Sequence, residues 1–591
     1  MKRSFFPALF TLLAIISATG VAPAQEPDQK EMPILTIGGP YPEQRNPFAF
    51  FEPTMVSFRD LTGKIDELSR DDDVAGVILK VEGIQLGLAQ LTELRRELVD
   101  FRASGKELVT FLDTGGLGDY MIASTGDRVV MPPVGTVMTY GLLARSYLMK
   151  DFLNEKLGIE VKSVHIGEYK TALEALTHNE MTEESREQLG AVLRGINEWI
   201  TRSVAESRGM TREEAEEALW SGPHHTAKAL EMGLATDEAY FYQFIDDYAE
   251  ENNVDVSPMR IREPKEPEPI NLFTLFGQLG KAQYGSQGKI AGDIAVIYAL
   301  GPIYDGRAPE DPFQSQQMIA GDTFLEMLDD ILADGPPAAV VVRIDSPGGS
   351  AVASDRIWAA LRGFSSNGIP VVVSMGNVAA SGGYYIGMAA DWILAEPTTI
   401  TGSIGVVAAN ISLGGTYDKL AMNMESIAIG QNAYLADESE LWSERETQVI
   451  RELIADTYDE FTSKTASMRR MTLEETQEVA RGRIWIGSDA LANGLVDELG
   501  GLARAIEVAR EIGNAQDADI VYYPKEMTFM EIFEKMLTGQ MALSPAQAPW
   551  ESALEALPEP AAEIVRTGYY LLNEKTPKVL TWAPVGFEVR Y

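Results

Sequence analysis

Cysteine is absent from the 591 residues. That excludes disulfides, a thiolate nucleophile, Cys-ligated zinc or iron–sulfur sites, and a lipoprotein-type cysteine anchor. Histidine is nearly absent: His165, His178, His224 and His225 are all there is, and all lie in the first half. A Ser-His-Asp triad confined to the second half is therefore impossible. Neither a metal-ligand cluster nor a phosphate-binding loop is found, so no metal and no cofactor is expected. Positive charge is also scarce: 49 Lys and Arg face 88 Asp and Glu, a formal net charge of −39. Such a surface repels phosphate backbones, so nucleic acid is not an expected partner. After the N-terminal segment there is no second long apolar run, which argues against a multi-span membrane protein. What is present is a globular composition, 45% apolar and 23% charged, able to bury real cores.

The ends and the middle differ from the rest. Met1-Lys-Arg is followed by an apolar run from Phe5 to Ile16 and by Ala22-Pro-Ala24-Gln25. A basic start, an apolar stretch and an A-x-A-like site form an export signal, with cleavage expected after Ala24. The rival is an uncleaved anchor over Ser4–Val21, near the lower length limit for a span and weakened by Pro7, Ser17 and Gly20. Either way the chain is expected outside the cytoplasm, periplasmic and soluble or tethered to the inner membrane. Arg262–Pro269 alternates proline with charge and reads as a linker. Asn271–Leu279 after it reads as a short amphipathic helix. The expected division is a signal or anchor at 1–24, a first domain at 54–260, a linker at 261–289, a second domain at 290–514 and a tail at 515–591. Within that tail, Phe529–Leu537 reads as an amphipathic segment suited to assembly.

The two halves look like copies. Val74–Val81 and Ala338–Asp345 are buried-strand patterns; Leu91–Leu98 and Ser354–Leu361 are helical ones. Glu107–Leu112 matches Pro370–Ser374, Gly118–Ile122 matches Gly382–Ile386, and Asp127–Val130 matches Asp391–Leu394. Five elements recur in order at a nearly constant offset. Strands alternating with helices predict βαβ units and a mainly parallel sheet in each half.

Two glycine-rich turns in the second half carry the chemistry. Ala379-Ala-Ser381-Gly382-Gly383 follows a strand and opens a helix. A serine there sits where free N–H groups and the helix dipole favour developing negative charge, which suits an attacking hydroxyl and an oxyanion. The same residues also make a plain N-cap beside a tight turn. Asp345-Ser-Pro-Gly348-Gly349-Ser350 also follows a buried strand, and sites in parallel sheets form at such strand ends. Ser381 needs a base. His165 falls in a strand-like run and reads as packed, and His224-His225 falls in a polar turn. The remaining choice is a lysine. An ordinary lysine, pKa about 10.4, is roughly 0.04% neutral at pH 7, so the base must be buried away from carboxylates. Lys170, in Ile166-Gly-Glu-Tyr-Lys-Thr-Ala-Leu173, is one candidate among many lysines. Glu168 and Glu174 would oppose it if they pointed inward.

Together Ala379–Tyr385, Asp345–Gly349, Thr401-Gly-Ser403-Ile-Gly405 and Gly167–Ala172 resemble the signal peptide peptidase SppA (protease IV) family in its long form. The resemblance covers about Thr54 to Tyr523. It implies tandem duplicated ClpP/crotonase-like α/β domains with mainly parallel sheets, and an ATP-independent serine endopeptidase of the cell envelope with a Ser-Lys dyad. Its implied substrates are released signal peptides and other apolar, unfolded segments. It further implies Ser381 as nucleophile, Lys170 as general base, Ser403 as the residue orienting the base, and Gly382, Gly348 and Gly349 at the oxyanion and substrate backbone. It also implies a homo-oligomer, a tetramer, with possible inner-membrane association. The repeat agrees: Leu117 stands opposite Ser381, Gln85 and Leu86 opposite the glycines, and Ala433 opposite Lys170. Each half lacks what the other keeps, so one shared site is expected. A crotonase-type acyl-CoA enzyme and a catalytically silent peptide-binding scaffold are the alternatives.

Overall fold

A computed structural model describes residues 29–44, 56–262, 290–308, 318–525, 579–582 and 587–590. The expected signal segment, the Asn271–Leu279 helix and Phe529–Leu537 lie outside the described residues.

Continuous apolar runs form two buried sheets. The first is six-stranded and parallel, in the order 237–238, 128–131, 107–112, 76–85, 31–40 and 255–259. The second runs 484–486, 400–402, 371–380, 339–346, 294–300 and 520–523, with 392–395 and 498–499 branching from the third strand. Within it only 484–486 is antiparallel. Val340, Val341, Val342 and Ile344 are buried, as strands covered on both faces by helices require. The sheets recruit two segments outside the spans expected from the sequence: Glu31–Pro40 in the first and Ile520–Tyr523 in the second.

The duplication extends into detail. Each half has a 26-residue helix, Glu183–Arg208 and Glu444–Arg469, capped by Thr182 and Ser443. Tyr120 donates its hydroxyl to the Leu234 carbonyl at 2.9 Å, and Tyr384 to that of Leu495 at 3.0 Å. The tandem α/β duplication with mainly parallel sheets is therefore present.

A third sheet joins the halves. Its order is 319–320, 303–304, 348–350, 579–582, 406–412 and 160–166. Glu160–Ile166, from the first half, pairs antiparallel with Val406–Ser412 of the second. The chain just past Ile166 is thereby delivered to the second half.

Charge fixes the halves together. Arg343, fully buried in a strand of the second sheet, donates to both carboxylate oxygens of Glu43 at 3.1 and 2.8 Å, to Glu93 at 2.9 Å and to Ser374 at 2.9 Å. Arg96 of the first half is bidentate on the buried Glu396 of the second. Asn377 caps the helix Leu88–Ala103 across the boundary, accepting the Ala89 N–H at 3.1 Å. Fork-shaped guanidinium–carboxylate pairs fix orientation as well as contact. A bundle of them at one interface sets the angle between the halves.

Candidate active site

Ser381 closes the strand Val371–Ala380 and caps the helix Gly382–Gly387, with φ 57° and ψ −112°. That backbone is strained for a residue with a side chain, and such strain persists only where the surroundings impose it. Here the Ser381 N–H donates to the Gly402 carbonyl and its carbonyl accepts from the Tyr385 N–H, each at 2.8 Å. Gly383 is glycine because a Cβ would lie 2.7 Å from the Ser346 carbonyl oxygen. The turn is thus clamped onto the strand end that precedes Gly348.

Ser403 is the second serine at positive φ, 51°. Its N–H donates to the Arg483 carbonyl at 2.7 Å. Both Ser381 and Ser403 have no exposure to solvent.

Lys170 arrives on the loop after Glu160–Ile166. The Tyr169 N–H donates to the Arg481 carbonyl and the Lys170 N–H to the Gly167 carbonyl, each at 3.0 Å. Gln188 braces the loop through the Tyr169 carbonyl at 3.2 Å and the Thr171 hydroxyl at 2.8 Å. Gly482, at φ 78°, presses on it: a Cβ there would lie 2.6 Å from Lys170 Cβ. The result places Lys170 Nζ 2.6 Å from Ser381 Oγ, 2.8 Å from the Ser403 carbonyl oxygen and 3.1 Å from Ser403 Oγ.

Among the described residues no carboxylate hydrogen-bonds the Lys170 amine. Glu174 is turned back to accept from the Thr182 N–H and hydroxyl. Glu168 is exposed and pairs with Arg481 at 3.2 Å. Burial holds the Lys170 amine well below the ordinary lysine range, because the charged form loses its water without gaining a counter-ion. A neutral amine has two N–H donors and one lone pair. The Ser403 carbonyl and hydroxyl accept the two donors, which leaves the lone pair for the Ser381 proton.

The glycine turn lies beside this pair. Gly348 and Gly349 have φ 106° and 150°, and the Gly348 N–H donates to Ser346 Oγ at 3.2 Å. Gly349 has a packing reason as well: a Cβ would come within 2.1 Å of the Ile303 carbonyl oxygen. Asp345 holds the base of the turn, accepting the Val378 N–H at 3.0 Å and the Asn377 amide at 3.1 Å. Burial pushes its carboxyl up.

The histidines take no part in these contacts. His165 sits in a strand as its sequence suggested, but its side chain is exposed rather than packed. His224 is buried in a two-residue strand, its ring bonded to the Ala218 carbonyl at 2.8 Å. Sequence reasoning missed Gln188 and the Arg481–Arg483 cradle. The visible signal was Gly482 alone, and its role depends on a loop more than 300 residues earlier.

Among the described residues, a buried serine beside a buried lysine without a counter-ion, at the strand ends of a parallel sheet, is the arrangement that a serine nucleophile with an amine base needs. The model of Peptidase family S49 matches residues 100–255 and 363–516, one stretch in each half. The chain belongs to that family. It is 33% identical over 463 residues to Serine protease SPPA, chloroplastic, of Arabidopsis thaliana, covering 78% of this chain and 66% of that one, just under two thirds. It is 28% identical to Protease 4 of Salmonella typhi, over 86% of this chain and 80% of that one. It is also 28% identical to Protease 4 of Haemophilus influenzae, over 78% and 74%. Among solved structures, a ClpP1 point mutant from Listeria monocytogenes matches 36% of this chain and 94% of its own at 14% identity. Its TM-score is 0.24, too low to bear on the fold.

Proposed function

We propose that the chain is an ATP-independent endopeptidase in which Ser381 attacks the peptide carbonyl and Lys170 accepts its proton. The observation that carries this reading is the 2.6 Å separation of Lys170 Nζ from Ser381 Oγ in a site without a carboxylate partner among the described residues. Attack forms a tetrahedral oxyanion, for which the Gly382 N–H is the proposed donor, with the Gly348-Gly349 turn meeting the substrate backbone. The Lys170 ammonium then returns the proton to the leaving amine, and a C–N bond breaks. Water, deprotonated by Lys170 in turn, hydrolyses the acyl-serine and restores both side chains. Ser403 orients the amine through its two acceptors. The acyl-CoA and silent-scaffold alternatives are not favoured by membership of a peptidase family. The test is labelling by a fluorophosphonate followed by peptide mapping: modification of Ser381 in the wild type and none in Lys170→Ala supports the dyad, and no labelling of Ser381 overturns it.

The proposed substrates are released signal peptides and other apolar unfolded segments, met outside the cytoplasm. Among the described residues no helix is long and apolar enough to cross a membrane. The N-terminal expectation, a mature chain starting at Gln25, is decided by intact mass on protein from its native host.

A homo-oligomer, proposed as a tetramer, is favoured by an orphaned arm. In the first half Glu160–Ile166 docks on Val406–Ser412. Its second-half counterpart ends at Ile429, where Ile427 and Ile429 are 99% and 95% exposed. The equivalent receptor is the edge of Leu143–Ser146 opposite Phe587–Arg590, unpaired among the described residues. An arm left unpaired in one chain is satisfied head-to-tail by the next copy, and such contacts form a ring when the rotation between copies closes.

A further inference from the structure

The sheet beside Ser381 contains a strand from the far end of the chain. Val579–Trp582 lies antiparallel to Gly348–Ser350 on one side, with Gly348 opposite Trp582 and Gly349 opposite Thr581. On its other side it lies antiparallel to Val406–Ser412, with Val407 opposite Leu580 and Ala408 opposite Val579. One flank is the glycine turn of the site; the other begins three residues after Ser403. An extended segment between them is placed as a peptide substrate would be if recognised by strand addition, through main-chain hydrogen bonds. With this strand in place, Ser381 is 0% and Lys170 2% exposed.

A second tail strand pairs on one side only. Phe587–Arg590 pairs antiparallel with Leu143–Ser146, Val589 lying opposite Ala144. At the repeat offset, Leu143–Ser146 is the first-half counterpart of the start of Val406–Ser412, and Ala144 of Val407. The two tail strands therefore sit on equivalent strands of the two halves. One slot adjoins Ser381; the other lies in the half where Leu117 stands at the position of the nucleophile. Five peptide steps join Trp582 to Phe587, so the slots lie within about 18 Å along the chain.

We propose that the first-half slot at Leu143–Ser146 is a peptide-binding site that anchors Phe587–Arg590, and that this anchoring holds Val579–Trp582 in the Ser381 slot as a tethered competitor of substrate. This rests on the reading of Ser381 and Lys170 as the peptidase site. A strand tethered a few residues from its slot competes at an effective concentration in the millimolar range, so a weakly binding segment suffices. The duplicated half then has a use for its catalytically empty slot: it secures the strap that closes the active one. A substrate gains entry by displacing Val579–Trp582, and release of Phe587–Arg590 makes that displacement easier.

The test compares the full chain, full-length Val589→Pro, a chain ending at Pro584 and a chain ending at Lys578. Proline removes a ladder N–H from the anchor strand. Each is measured for kcat/KM on an internally quenched apolar decapeptide, and for the rate of Ser381 labelling by a small fluorophosphonate. Removal of both strands should raise kcat/KM by about tenfold, and loss of the anchor alone by an intermediate factor. Labelling must persist at or above the full-chain rate. A fluorescent peptide of residues 579–591 should bind the chain ending at Lys578 in its Ser381→Ala form, and more tightly than residues 579–584. Unchanged or lower kcat/KM with labelling intact overturns the proposal. So does loss of labelling on truncation, which makes the tail structural. If no form labels at Ser381, the peptidase reading fails instead, and binding of the 579–591 peptide still decides the slots: no binding overturns them.

Discussion

Lys170 Nζ and Ser381 Oγ are 2.6 Å apart although 211 residues separate them along the chain. Each comes from a different copy of a duplicated unit, and each copy lacks the partner it borrows. The contact depends on a strand that crosses to the other half, Glu160–Ile166 on Val406–Ser412, and on a loop pinned by Gln188 and by the Arg481 carbonyl.

Ser381→Ala and Lys170→Ala should each lower kcat by about 10³-fold or more, and the double variant should be little worse than either. Peptide turnover with matched circular dichroism spectra checks it. Retained turnover in a clean Lys170→Ala preparation would remove the lysine from the mechanism.

The pH dependence has a definite sign. Only neutral Lys170 can accept the Ser381 proton, and burial lowers its pKa, so kcat/KM should rise with pH through that depressed value and then level off. The Ser403 carbonyl and hydroxyl accept from the amine and favour its charged form. Ser403→Ala removes one acceptor, so the acidic limb should move to lower pH while kcat falls about tenfold. A pH–rate profile of both enzymes reads this directly, and an acidic limb displaced upward would contradict it.

The same burial makes Lys170 a cost to folding. Between its folded pKa and the ordinary lysine value, the unfolded chain binds a proton that the folded chain does not, so stability rises with pH across that window. Lys170→Met removes the penalty and keeps the volume. It should abolish turnover yet raise the thermal midpoint at neutral pH by a few degrees, measured by calorimetry.

Arg343→Met leaves Glu43 and Glu93 without their buried cation. A broken buried ion pair costs about 3–5 kcal/mol, and this one spans the halves, so activity should fall with stability. Adding Glu43→Gln and Glu93→Gln should restore part of both. Denaturant titration of the single and triple variants gives the numbers; equal stability of the two would show that the network does not bind the halves.

Gly482→Ala tests the cradle. Its Cβ would meet Lys170 Cβ at 2.6 Å, and φ is 78°. Lys170 must retreat from Ser381, so kcat should drop at least about 10²-fold, the order of loss that an ångström of misplacement brings. Fluorophosphonate labelling at the wild-type rate would show that the loop accommodates the methyl.

The sequence by itself determined the two-fold repeat, the parallel sheets and the turn that presents Ser381, because these follow from local patterns: apolar strands, alternating helices and glycines at strand ends. It also determined by elimination that no second-half histidine serves as base, and the complementary losses at Leu117 and Ala433 already implied a shared site. What it could not determine without a family resemblance was which lysine completes that site. Lys170 has an unremarkable local sequence; its low pKa comes from burial among segments near residues 188, 403 and 482, with Glu168 held by Arg481 and Glu174 by Thr182 instead of by the amine. The inter-half network of Arg343, Glu43 and Glu93 and the return of the tail to both slots were equally hidden. A buried charge or an added strand leaves no periodic trace, because the partners that justify it lie hundreds of residues away and meet only when the chain has folded.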